Sequence, residues 1–130
     1  MSTIVVKSPV SAARVTTVLA VLVAGAAHIP VIAPHLHEAP YMGVLFILLT
    51  AACLLSAGVL AVAEVPLAYA FAATCCGLAV LGYAATRLVA FPQLADDVGN
   101  WWEPLGVVAV LSELVVVTAA ISALRHRATR

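Results

Sequence analysis

Four long apolar runs, at about residues 15–33, 41–63, 67–86 and 105–124, alternate with short breaks that carry prolines and charges. Each run holds about 20 residues, enough at 1.5 Å per residue to cross a hydrocarbon core of about 30 Å. None shows the period-two alternation of a barrel strand, and a backbone in lipid must satisfy its own hydrogen bonds, so helices are expected. The reading is all-α: one transmembrane domain over 1–130, an integral membrane four-helix bundle.

Charge placement orients that bundle. Lys7 and Arg14 precede the first run, Arg125, Arg127 and Arg130 follow the last, and Arg87 ends the third. The positive-inside rule then places both termini in the cytoplasm of a bacterial cell, with a multi-pass chain in its cytoplasmic membrane. The breaks 35–40 and 91–104 become outer loops, and Glu64, Val65 and Pro66 form the inner turn. Composition agrees, at 65% hydrophobic and 9% charged over 130 residues, against about 25% charged in a soluble domain. On that length no separate soluble catalytic domain is expected beside the four helices. Dense small residues, among them Ala24-Gly25-Ala26-Ala27 and Ser56-Ala57-Gly58, let membrane helices approach closely. The chain start also has the pattern of a cleavable signal peptide, with Lys7 and Arg14, an apolar stretch and Ala24-Gly25-Ala26. Removal of residues 1–26 would leave His28 beside a new amino terminus, where imidazole and amine together chelate copper. An apolar run that continues through Ile32 favours an intact first span.

Apart from Glu64 and His126, the ionisable residues that are not terminal anchors gather at the outer end. His28, His35, His37 and Glu38 lie within eleven residues, and imidazole with carboxylate suits copper or zinc. Pro30 and Pro34 are expected to kink or end the first helix there. An extended His-x-His points its rings to opposite faces, so both reach one ion only if the loop bends. Ordinary interfacial histidines are the alternative, because the spacing matches no fixed zinc motif.

Glu113 stands in the middle third of the last apolar run, where a carboxylate faces a partner or a wet cavity. Arg87 is the only base on the same side, so a Glu113–Arg87 pair is expected, with a proton relay or metal ligation as the functional alternatives. Ser112 adds a neighbouring hydroxyl. The stretch 96–106 reads as a loop entering a helix: Asn100 caps it, while Glu103 and Pro104 suit the first turn. Trp101 and Trp102 fit an interfacial aromatic belt. Asp96 and Asp97 exceed what capping needs and are further candidate ligands or partners of Arg87. Gly99 suggests a turn that folds the loop back over the bundle. Cys53 and the adjacent Cys75-Cys76 lack the Cys-x-x-Cys spacing of a thiol oxidoreductase and read as buried small hydrophobes. No bis-histidine haem site, nucleotide loop or nucleic-acid stripe is expected.

Three stretches carry a resemblance: H-L-H-E-A-P-Y-M-G at 35–43, A-T-R-L-V-A-F-P-Q at 85–93, and D-D-V-G-N-W-W-E-P-L-G at 96–106 followed by Ser112-Glu113. On these the chain resembles a group of small uncharacterised actinobacterial four-helix membrane proteins. Ala85-Thr86-Arg87 stands where similar sequences have Ser-Arg-Thr, and Phe91-Pro92 where they have Leu-Pro, so Arg87 and Pro92 carry over directly. The resemblance implies one outward-facing cluster and no particular reaction.

Three functions remain open on the sequence. The leading one is a copper- or zinc-binding protein, with His28, His35, His37, Glu38 and also Asp96, Asp97 or Glu113 as ligands, serving as an accessory subunit of a larger membrane complex. The second is a proton-coupled transporter or channel subunit, working as an oligomer, with Glu113 titrating and Arg87 modulating it. The third is a structural subunit sealed by ion pairs. The surplus of outer acids over the single arginine favours a cation partner.

Overall fold

A computed structural model describes residues 11–129; the expectations for Lys7, Arg130 and a signal sequence fall wholly or partly outside them. Four helices, α1 (Ala12–Glu38), α2 (Pro40–Val62), α3 (Pro66–Leu88) and α4 (Pro104–Ala128), are joined by tight connections and by one short 3-10 turn, Ala95–Asp97. All four are long and apolar enough to cross a membrane. The chain is therefore all-helical over these residues and suited to a bilayer.

Local chemistry sets the ends. Ser11 Oγ accepts the Arg14 N–H at 3.1 Å and starts α1, filling one of the orphan donors of a first turn. The other three helices open on prolines, Pro40, Pro66 and Pro104, whose missing N–H is harmless at that position. The Glu103 carboxylate caps α4, accepting from Leu105 N at 3.2 Å and Gly106 N at 2.5 Å. Asn100, expected as the cap, is instead an exposed turn residue whose N–H donates to Asp97 O. Proline at the first helical position makes the residue before it the cap, which is Glu103.

α1 departs further from expectation. It runs through Pro30 and Pro34 and ends only at Glu38, so the break at 35–40 is no loop, and Ala39 alone links α1 to α2. Each proline removes one donor, and neighbouring helices tolerate this within a membrane bundle. His35 and His37 consequently lie in the last turn of a helix.

α2 and α4 both pack along α1, α3 packs on α4, and of the four adjacent pairs α2 and α3 meet least. The spatial order is thus α2, α1, α4, α3, with a gap between the outer two. A core of small and medium residues, including Val21, Ala24, Cys53, Ala72, Cys76 and Val116, fills the middle. Leu60, Tyr69, Ala120 and Ala123 pack nearer the chain termini. Long apolar side chains such as Leu54, Leu55, Leu81 and Leu111 point outward, as lipid-facing positions do. At the terminal end Glu64 ties helices together. Its Oε1 accepts from Ser11 Oγ at 3.2 Å and Tyr69 Oη at 3.1 Å, and its carbonyl accepts from Arg127 at 3.0 Å. Arg14 Nε donates to Leu60 O at 2.6 Å beside it.

The α1–α2 corner has no room for a side chain at Gly43, where an added Cβ would lie 2.7 Å from the Leu36 backbone nitrogen. Gly58 has open space around it. Gly43→Leu should therefore destabilise the bundle by about 1–3 kcal/mol through overpacking, while Gly58→Ala holds or gains stability. Thermal unfolding of both variants in detergent would compare them.

Candidate functional site

The buried ionisable residues His28, Glu113 and Arg87 enter two separate pairs. His28 on α1 places Nε2 3.4 Å from Glu113 Oε1 on α4, and both residues are almost fully buried, at 6% and 1% exposure. Ten residues before the end of α1 and nine after the start of α4, they share a depth of roughly 13–15 Å below the loop end of the bundle. His28 Nδ1 lies 2.6 Å from Ala24 O. A carbonyl only accepts, so Nδ1 carries the hydrogen and Nε2 is the atom turned to Glu113. One exchangeable proton then serves two sites, on the carboxyl or on the ring. Either placement leaves the pair without net charge.

Arg87, at the last turn of α3, pairs elsewhere. Its Nη1 lies 3.2 Å from Asp97 Oδ2 and donates to Thr86 Oγ1 at 3.2 Å, and its guanidinium carbon sits 4.2 Å above the Tyr83 ring. Tyr83 Oη donates in turn to Trp101 O at 2.9 Å. The expected Glu113–Arg87 pair is accordingly replaced by Glu113–His28 and Arg87–Asp97. Arg87 sits at the helix end, level with the loop, and Gly99 N donates to Arg87 O at 2.9 Å. That bond brings the loop back over α3, aided by a positive φ of 80° at Gly99, a conformation glycine adopts freely. Asp97 is then nearer to Arg87 than Glu113 is.

The expected metal ligands do not converge. Among the described residues no group of three or more His, Cys, Asp or Glu side chains is placed to hold a metal ion. His37, Glu38 and Asp96 are exposed. Since α1 stays helical to Glu38, His35 and His37 point about 200° apart and His28 lies about two turns below His35. His35 turns inward, its Nδ1 2.7 Å from Val31 O. Its ring meets the Phe46 ring edge-on at 4.8 Å, and His28 meets the same ring at 5.4 Å.

The gap between α2 and α3 is a cavity of about 740 Å³, walled by His28, His35, Phe46, Tyr83, Arg87 and Glu113 among others. Asp97 and Glu103 stand at its loop end. Leu45, Leu48, Phe71 and Leu78 line it and are also exposed on the outer surface. The mouth therefore opens sideways, toward where lipid would lie. Ala72, Cys53 and Cys76 close it toward the termini. Among the described residues, Glu113 Oε1 and Arg87 Nε are buried wall atoms without a hydrogen-bond partner.

Phe46, Tyr83 and Thr86 belong to this site and were not singled out from the sequence. The four-residue spacing of Tyr83 and Arg87 on one helix face was a readable signal; nothing in the sequence marks Phe46. Comparison with protein-family models, curated proteins and solved structures gives no match. Fold and site thus define a class only: a four-helix, multi-pass protein with a laterally open cavity.

The pairing can be measured directly. A double-mutant cycle of His28→Gln and Glu113→Gln should show coupling within the 0.5–3 kcal/mol of contacting residues. The cycle of Arg87→Gln and Glu113→Gln should be additive within about 0.5 kcal/mol. Unfolding free energies in mixed micelles supply both; the reverse result would restore the Glu113–Arg87 pair.

Proposed function

We propose that this chain is a membrane-embedded binding protein for a small lipid-soluble molecule bearing a polar head, admitted sideways between α2 and α3. The observation that supports this most is the cavity of about 740 Å³ whose mouth is apolar and whose wall holds the buried His28–Glu113 pair. Its size lies within the roughly 300–1,000 Å³ of small-molecule sites, which combine apolar lining with a few placed polar groups. With Arg14, Arg125 and Arg127 all at the terminal end, the positive-inside rule supports a cytoplasmic side there. The cavity would then occupy the outer half of a bacterial cytoplasmic membrane.

The copper or zinc reading has less behind it, because His37, Glu38 and Asp96 are exposed and no three of its ligands gather around one point among the described residues. A transport pathway has less as well, since the packed core around Cys53, Ala72 and Cys76 separates the pair from the terminal end.

An aliphatic diazirine probe, photoactivated in proteoliposomes and mapped by peptide mass spectrometry, should label residues around Leu48, Phe71 and Leu78 above the lipid-facing background. Ala79→Trp, which fills the cavity from α3, should reduce that labelling about tenfold or more, a loss of about 1.4 kcal/mol or greater in binding. Uniform labelling of all outward faces, unchanged by Ala79→Trp, would refute the proposal.

A further inference from the structure

We infer that the occupant of this cavity is a lipophilic organic cation that takes the place of the exchangeable proton on the Glu113–His28 pair. This rests on the binding reading above and names its ligand class.

Charge accounting around the wall carries the argument. Arg87 is answered by Asp97 at 3.2 Å and by the Tyr83 ring, so what its free Nε still needs is a neutral acceptor. Glu103 is engaged by the N–H groups of Leu105 and Gly106 at the positive end of α4. Glu113 is different: its Oε1 has no hydrogen-bond partner, and His28 Nε2 at 3.4 Å lies beyond a good hydrogen bond. With its proton removed, this carboxylate is, among the described residues, the one wall acid without a cation or a donor set beside it. The complement that the wall lacks is a positive charge.

The surroundings select which kind. A small inorganic cation must exchange its water shell for several oxygen or nitrogen ligands, and here Glu113 and His28 offer two groups. An organic cation spreads its charge over apolar bulk and gains from burying that bulk. Phe46 and Phe71 line the same space, and aromatic faces attract such cations. The sideways mouth suits a solute that already partitions into the bilayer.

The exchange balances. The free pair holds one proton; the bound state holds the organic cation against ionised Glu113 with neutral His28, and one proton leaves to water. No bond other than that to the proton is made or broken. The titratable groups that face Glu113 are His28 from α1, Cys53 from α2 and Cys76 from α3. Arg87 and Asp97 stand a level above and cancel each other. Because the ligand replaces a proton, affinity rises with pH by up to about tenfold per unit while the free pair is protonated, and levels off once it is not.

The test uses the full chain in detergent, with tetraphenylphosphonium as the cationic probe and triphenylphosphine oxide as a bulky neutral one. Calorimetric titration in buffers of different ionisation heat reports proton release. The expected result is tighter binding of the cation, a steep rise with pH, and about one proton released per cation bound. Glu113→Gln should abolish the pH dependence and lower cation affinity at least about tenfold, and Glu113→Asp should restore both in part. Equal, pH-independent binding of the two probes, blocked by Ala79→Trp, would overturn the cation inference and leave the cavity reading standing. Binding of neither probe, or binding indifferent to Ala79→Trp, would overturn both.

Discussion

A carboxyl group in the apolar part of a membrane helix costs at least about 2.5–3.5 kcal/mol when unanswered, and the arrangement of this bundle follows from how Glu113 is answered. Its partner His28 is on α1, at matching depth, which requires α1 and α4 to lie side by side along their length. α2 follows α1 through the single residue Ala39 and so packs on the free flank of α1. α3 precedes α4 and takes the free flank of α4. One buried pair thus fixes which two helices are central and leaves the other two facing each other across a space.

That space persists because the chain holds α2 and α3 together elsewhere. At one end the turn between Val62 and Pro66 joins them, with Glu64 gathering Ser11, Tyr69 and Arg127. At the other, Tyr41 Oη donates to Pro92 O at 2.7 Å, fastening the start of α2 to the loop beyond α3. Between these ties the helices separate, and the residues along the opening are large and apolar. A collapsed gap would bring Leu45 and Leu48 against Leu78, yet lipid solvates those side chains nearly as well as protein does. Burial from lipid gives little hydrophobic gain, so the opening is stable in a membrane where it would not be in water.

Much of this was legible in the sequence, for stated reasons. Four apolar runs of spanning length admit one architecture, and the starts at Pro40, Pro66 and Pro104 could be placed within a residue or two. The turn at Glu64 and the importance of Glu113, His28 and Arg87 were equally visible, because buried ionisable groups in an apolar chain are few. What could not be read was who pairs with whom. Formal charge suggested Arg87 for Glu113, but depth along the helix axis decides the matter, and that depth depends on α1 continuing through Pro30 and Pro34. The same continuation turns His35 and His37 about 200° apart. Proline breaks a helix that stands alone, whereas α1 is held through Pro30 and Pro34 by the helices packed on it. The cavity was illegible for a different reason: it is made by the absence of contact between α2 and α3, and no residue pattern within either helix records a gap.

The separation of the two pairs has a chemical consequence. Had Arg87 reached Glu113, the carboxylate would be permanently neutralised by a group that never gives up its charge, and the wall would be electrostatically inert. Asp97 instead holds Arg87 at the loop end, while Glu113 faces the His28 imidazole at 3.4 Å, a group that takes up and releases a proton. A neutral pair of this kind tolerates an apolar surround when the cavity is empty, yet becomes a single negative charge when the proton departs. The cost of burying that charge falls on any state lacking a counter-charge, which makes occupancy by a cation and loss of the proton one event. Distance along α3 and α4, more than the identity of the residues, is what keeps that option open.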